Sequence, residues 1–260
     1  MNILEKIIQH KKEEVKEKSR LTPLERIKDS QRLFAIRDFN SALCQNKMQI
    51  IAEIKKQSPS EGEIMPEANP AEIAVEYERN GASAISVLTD SHYFGGQLEY
   101  IQQVKNVVDI PVLRKDFIIS EYQIWESFQS GADAILLIAD AIDKELLISL
   151  NQLALELGLH VLIETHNSSH LSWINDLNPQ IVGINCRDLQ NMKTDLTWLK
   201  TVAEELPIDC IKVAESGIRT NDDLSKIDQY GYDAALVGTS LMKTGDPGNA
   251  LATLLNRVPV

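Results

Sequence analysis

Eight short runs of aliphatic and β-branched residues recur along the 260-residue chain, each followed by a stretch of helical periodicity. This alternation restricts the fold more than any other feature. The runs span 49–54, 83–88, 110–113, 133–139, 159–164, 180–185, 210–214 and 233–237. Val, Ile and Leu fill them almost without interruption, as in parallel strands buried on both faces. Helices are expected near 70–80, 97–108, 120–130, 143–157, 167–176, 195–205, 220–229 and 247–256. Their starts are marked by Asn69-Pro70, Ser120, Asp143, Asp195, Thr220 and Asp246-Pro247.

A faint repeat reinforces the pattern. Asn80-Gly-Ala-Ser-Ala-Ile-Ser-Val-Leu88, Ser130-Gly-Ala-Asp-Ala-Ile-Leu-Leu-Ile138 and Tyr230-Gly-Tyr-Asp-Ala-Ala-Leu-Val-Gly238 share one grammar: a helix-ending glycine, a tight turn, then a strand that opens on small residues. Eight such units without a linker predict an α/β fold, a single (β/α)8 TIM barrel covering 1–260 as one domain. An open doubly wound sheet is the alternative, but no run is followed by a dinucleotide glycine fingerprint. Residues 1–45 read as an N-terminal helical extension, with one helix over 3–18 and a short one over 38–44. The extension is suited either to capping the barrel's bottom or to forming part of the active-site rim.

Composition narrows the partners. Lys+Arg 26 against Asp+Glu 38 gives a net charge of -12, a poor match for nucleic acid or an anionic membrane. An anionic substrate would have to be drawn in by locally clustered basic groups. Cys44, Cys186 and Cys210 have neither CxxC nor metal-ligand spacing and read as fillers in a reducing compartment. No apolar run reaches the roughly 18 residues of a spanning helix, and the first residues lack the character of a signal peptide. A cytoplasmic protein is expected.

In a barrel of this kind, chemistry sits at the C-terminal ends of the strands. The first ends in Glu53 and Lys55, the third in Lys115, Asp116 and Phe117, the fifth in Glu164. The sixth delivers Asn185 and Arg187, the seventh Glu215, Ser216 and Gly217, the eighth Gly238, Thr239 and Ser240. Strand alternation puts Glu53 and Lys55 on one side, and likewise Asn185 and Arg187. Any one of these charges reads as a solvated loop residue. Converging on one rim, they fit an anionic substrate and proton transfer. The small residues after the seventh and eighth strands suit a phosphate approaching backbone N–H groups. His166 and His170 lack a third ligand, and Trp125, Trp173 and Trp198 fit helix packing. Cys186 should face the sheet–helix layer, and residues 92–96 form an aromatic loop, a lid part or a connector.

These strand ends resemble the indole-3-glycerol phosphate synthases, over nearly the whole chain. The resemblance is carried by Ile51-Ala-Glu-Ile-Lys-Lys-Gln-Ser-Pro-Ser60, Ser86-Val-Leu-Thr-Asp90 with Tyr93-Phe-Gly-Gly96, and Val112-Leu-Arg-Lys-Asp-Phe-Ile-Ile119. Gly131-Ala-Asp-Ala-Ile-Leu-Leu-Ile138, Gly183-Ile-Asn-Cys-Arg-Asp-Leu189, Ala214-Glu-Ser-Gly-Ile218 and Val237-Gly-Thr-Ser-Leu-Met242 extend it. It implies conversion of 1-(2-carboxyphenylamino)-1-deoxyribulose 5-phosphate to indole-3-glycerol phosphate, with loss of carbon dioxide and water. No metal or organic cofactor is implied.

By the same resemblance, Lys115 is the general acid of ring closure, Glu164 an acid/base residue, and Glu53 and Lys55 a coupled pair. Lys55 holds substrate and is a candidate for the dehydration step. Asn185 joins this catalytic set; Arg187, Phe117, Glu215 and Ser216 bind substrate, with Phe117 beside the aryl ring. Ser58, Gly217, Gly238 and Thr239, with Lys55, grip the phosphate. Two departures stand out: Glu61 follows Ser-Pro-Ser where the family often has a basic residue, and Cys186 replaces a common asparagine. The implied enzyme is a monomer acting on a small anionic molecule, alone or in weak association with other tryptophan-pathway enzymes. A related phosphate-binding barrel such as phosphoribosylanthranilate isomerase, or a silent barrel serving as a binding subunit, are the alternatives. The isomerase would be expected to carry a cysteine on the first strand, and a silent barrel to have lost the charged strand ends.

Overall fold

A computed structural model describes residues 1–187, 194–207 and 209–259. Asp188 and Leu189 of the sixth-strand motif, and Met192, lie outside them. The chain opens with helices α1 (Ile3–Leu21), α2 (Leu24–Lys28) and α3 (Phe39–Leu43). Strand β1 (Gln49–Ile54) and helix α4 (Pro70–Arg79) follow, then β2 (Ala84–Leu88), α5 (Ser91–Phe94) and α6 (Glu99–Lys105). Next come β3 (Val112–Lys115), α7 (Glu121–Ser130), β4 (Ala134–Ile138), α8 (Lys144–Glu156), β5 (His160–Thr165) and α9 (Leu171–Asp176). The series ends with β6 (Ile181–Asn185), α10 (Leu196–Ala203), β7 (Ile211–Glu215), α11 (Asn221–Gln229), β8 (Ala234–Val237), α12 (Thr239–Met242) and α13 (Pro247–Leu254). All eight strands pair in parallel with their sequence neighbours, and β8 closes on β1 through Gln49↔Ala234 to Ala52↔Val237. This is a closed (β/α)8 barrel with an N-terminal helical extension.

Period-two alternation divides the strand side chains between two cores. Ile50, Ala52, Ile85, Val87, Ile135, Leu137, Val182 and Ile184 point outward and join the helices in the larger core. Ile51, Ala84, Leu113, Ala134, Leu136, Leu162, Ile181, Val213 and Leu236 fill the barrel's interior. The three repeat glycines end their helices in the left-handed region: Gly81 at φ 99°, Gly131 at 94° and Gly231 at 84°. Cys186 lies buried in the outer core, on the side expected for it.

The extension does both jobs that were open to it. Phe39 and Leu43 of α3 are fully buried against the inward residues and plug the barrel from below. Helix α1 instead crosses the opposite end, where Ile3, Leu4 and Ile7 wall the main cavity. Segment 32–37 is pinned at the bottom by Asp133, which accepts hydrogen bonds from Arg37 N and, twice, from Lys105 Nζ.

Some boundaries differ from the expectation. The third strand runs Val112–Lys115 rather than 110–113, because Pro111 has no N–H to give the ladder and buried partners carry Arg114 onward. The helix expected at 167–176 opens with a 3-10 turn, Ser168–His170. Residues 91–94 are a helical turn capped by Asp90, and Gln57–Ser58 pairs with Gly62–Glu63 in a small hairpin. Among the described residues, no helix is long and apolar enough to cross a membrane.

Candidate active site

On four of the strands the inward stripe starts apolar and ends polar. On β1 the stripe reads Ile51, Glu53, Lys55; on β3, Leu113 then Lys115; on β5, Leu162 then Glu164; on β7, Val213 then Glu215. The same side-chain period that packs the interior therefore delivers charge to its upper end. A cavity of about 540 Å³ opens there. Every site residue expected from the sequence lines it: Glu53, Lys55, Ser58, Lys115, Phe117, Glu164, Asn185, Arg187, Glu215, Ser216, Gly217, Gly238 and Thr239.

Lys115 is the centre of the floor. Its Nζ lies 2.7 Å from Glu164 Oε2 and 2.8 Å from Glu215 Oε2, bridging β3 to β5 and β7. Burial alone would lower its pKa, but the carboxylates of Glu164, Glu215 and Glu53 outweigh burial and keep it fully protonated. Glu164 also accepts a hydrogen bond from Asn185 Nδ2 at 3.0 Å. Burial would raise the Glu164 pKa, yet Lys115 and Asn185 hold it below the usual range. Glu215 goes the other way, pushed up to about 8 by burial and by the neighbouring Glu164 charge. Two buried carboxylates beside one ammonium thus titrate as a pair, with Glu215 the member pushed up.

A second pair stands beside this triad. Lys55 Nζ donates to Glu53 Oε1 at 2.6 Å. Two glycines make room for these carboxylates. A Cβ on Gly183 would come within 2.3 Å of Glu215 Oε1, and one on Gly238 within 2.3 Å of Glu53 Oε1. Gly238 was expected only as a phosphate contact; the structure gives it this packing duty as well.

The cavity has two unlike sides. Above β2 and β3, Phe117 and Phe94 stand with ring centroids 5.9 Å apart, with Ile3, Leu4 and Ile7 of α1 completing an apolar wall. Above β7 and β8 lie Ser216, Gly217, Gly238 and Thr239. Ser216 and Gly217 both adopt left-handed φ, 72° and 74°, which for serine is strained by about 1–3 kcal/mol. Gly238 precedes α12 without a capping side chain. Arg187 donates from Nη1 to Ser60 Oγ at 2.8 Å, and its backbone N–H reaches Asn185 Oδ1 at 3.0 Å.

Helix α1 is anchored by a fully buried lysine. Lys11 Nζ lies 2.9 Å from Asp90, 3.0 Å from Asp116 and 2.7 Å from Glu14. Asp90 caps the turn bearing Phe94, and Asp116 accepts from the N–H of Phe117 at 2.8 Å. Arg114 completes the cluster, 3.0 Å from Asp116 and 3.2 Å from Glu126. The α1 wall and Phe94 fulfil options the sequence left open, the active-site rim and the aromatic loop, whereas Lys11, Arg219 and Lys243 were missed. For Lys11 a signal existed: it interrupts the apolar face of α1 one turn beyond Ile7.

His166 is tied to the β6 end, its Nδ1 2.6 Å from Asn185 O. Among the described residues no cysteine lines the cavity; Cys44 is exposed and Cys186 and Cys210 are buried elsewhere. An isomerase relying on a first-strand cysteine has no counterpart here.

Comparison with known proteins identifies the family. The chain is 45% identical to an indole-3-glycerol phosphate synthase of Geobacillus kaustophilus, covering 97% of this chain and 96% of that one. It is 43% identical to one from Alkaliphilus metalliredigens, covering 97% of each. Among solved structures, thiamine phosphate pyrophosphorylase from Pyrococcus furiosus superposes with a TM-score of 0.62 at 15% identity, covering 84% of this chain and 96% of that one. At that identity it speaks for the fold alone. A family model described as indole-3-glycerol phosphate synthase matches residues 4–254, so the chain belongs to the indole-3-glycerol phosphate synthase family.

Proposed function

We propose that this cavity converts 1-(2-carboxyphenylamino)-1-deoxyribulose 5-phosphate to indole-3-glycerol phosphate, a carboxy-lyase reaction of tryptophan biosynthesis. The observation that carries the assignment of roles is the Lys115 ammonium, held between Glu164 and Glu215 on the cavity floor. The ring carbon bearing the carboxylate attacks the sugar ketone, and the ketone oxygen takes a proton from Lys115. The developing alkoxide is a far stronger base than the lysine amine, so even a tightly held ammonium gives up its proton. Loss of carbon dioxide returns electrons to the ring and leaves a hydroxyl on the new five-membered ring. That hydroxyl departs as water with a proton from Lys55, while Glu164 removes the proton from the adjacent carbon.

The remaining groups orient the substrate. The aryl ring lies against Phe117, and Arg187 offers planar donors to its carboxylate. Asn185 fixes Glu164, and Glu215 and Ser216 line the floor between the two sides. The phosphate sits at Ser58, Gly217, Gly238 and Thr239, with Lys55 adding charge. We place the reaction in the cytoplasm, carried out by one domain acting as a monomer on a small anionic substrate.

The test is to follow indole fluorescence after mixing enzyme and substrate. Lys115→Ala should cut kcat about a hundred- to ten-thousand-fold while inorganic phosphate inhibits as before. Near-normal turnover in that variant would remove Lys115 from the role of acid.

A further inference from the structure

Two contacts cross the mouth of the cavity from the loop after β1. Ser60 is held by Arg187, and Glu61 Oε2 accepts from Lys243 Nζ at 2.5 Å. Lys243 follows α12, the turn that begins at Gly238 and Thr239. Glu61 is firmly placed, since it sits between the paired ends of the small hairpin and its N–H reaches Ser58 O and Oγ at 3.3 Å. Glu61, Arg187, Arg219 and Lys243 all line the same cavity. Lys243 holds the Glu61 carboxyl below its usual range by hydrogen bond and charge, slight burial opposes this, and Arg187 and Arg219 add to it. The pair is open to water, with side chains 27% and 49% exposed. A carboxylate therefore occupies a cluster of three cations beside the glycine turns of β7 and β8.

We infer that Glu61 sets the cavity's affinity for phosphate, by holding Lys243 in an ion pair that an incoming phosphate group must break. This rests on reading Gly217, Gly238 and Thr239 as the phosphate end. The phosphate dianion takes Lys243 from Glu61 on entry, and Glu61 regains it as product leaves. Glu61 weakens the binding of substrate and product alike and leaves the proton-transfer groups untouched.

The test measures KM and competitive inhibition by inorganic phosphate in the full chain and its variants. Glu61→Gln should lower both constants about three- to tenfold, with the gain shrinking as salt shortens the Debye length. Lys243→Met should raise both, and Glu61→Gln added to Lys243→Met should have a smaller effect than it has alone. Thr239→Glu serves as the control on the site itself. If Thr239→Glu raises both constants and Glu61→Gln changes neither, the role of Glu61 is overturned while the phosphate site stands. An equal effect of Glu61→Gln with and without Lys243 overturns the ion-pair exchange. Constants unmoved by Thr239→Glu mean that the phosphate lies elsewhere, and the proposal falls with its site.

Discussion

Glu215 shares the Lys115 ammonium with Glu164, and a proton on it would keep the charge of this triad from becoming net negative. Its pKa in the fold, about 8, exceeds the ordinary carboxyl value of 4.5. Between those values the folded chain binds more protons at this site than the unfolded one. Its contribution to stability is complete below the ordinary value and is lost as pH rises through about 8. Glu215→Gln, which cannot ionise, should flatten the fall in urea midpoint between neutral and mildly alkaline pH, and an unchanged slope would show that the proton resides elsewhere. Gly183→Ala should act on the same carboxylate by crowding. We expect kcat to fall about tenfold or more, since small displacements of a positioned group are costly, and the urea midpoint to drop as overpacking costs about 1–3 kcal/mol. The residues themselves were legible in the sequence, because spacing of two along a strand is enough to send Glu53 and Lys55, or Asn185 and Arg187, the same way. The coupling of Glu164 to Glu215 across β5 and β7 was not, since it depends on distances between strands that no single stretch encodes.

Among the elements, the long ones were readable, and of the one-turn helices α3 was readable while α2, α5 and α12 were not. Strands and helices such as α7 and α8 carry several periods of their pattern, whereas α2, α5 and α12 are too short to show any. Their formation depends on a cap or on tertiary contacts, as Asp90 shows for α5. Helix α1 was visible as a helix, but its destination was not, because its anchor is a lysine and lysines usually mark the solvent face. Lys11→Met would leave Asp90 and Asp116 buried with one cation fewer. A loss of about 3–5 kcal/mol is expected, the cost of breaking a buried ion pair from one side. Because the same aspartates brace the turns bearing Phe94 and Phe117, KM should rise as well. A variant with wild-type KM and an unchanged urea midpoint would show that α1 is held by its apolar face alone.

On the scale of the molecule, the two ends of the barrel have separate duties. The upper end lines its cavity with five cations balanced by five carboxylates in a protein of net charge -12, so an anionic ligand meets less repulsion there than over the molecule as a whole. The lower end is closed by Phe39 and Leu43 and touches none of the reacting groups. Phe39→Ala should cost about 3–5 kcal/mol of stability yet leave kcat/KM within about twofold of wild type at temperatures where it remains folded. A large loss of turnover there would mean that the ends are coupled. The buried lysine also bears on how the chain comes into being. Helix α1 leaves the ribosome before β2 and β3, so it must stay undocked until the aspartates that receive Lys11 have been made and paired. Synthesis of α1 and its docking are therefore separated in time, because the seat for Lys11 is built from residues made later in the chain.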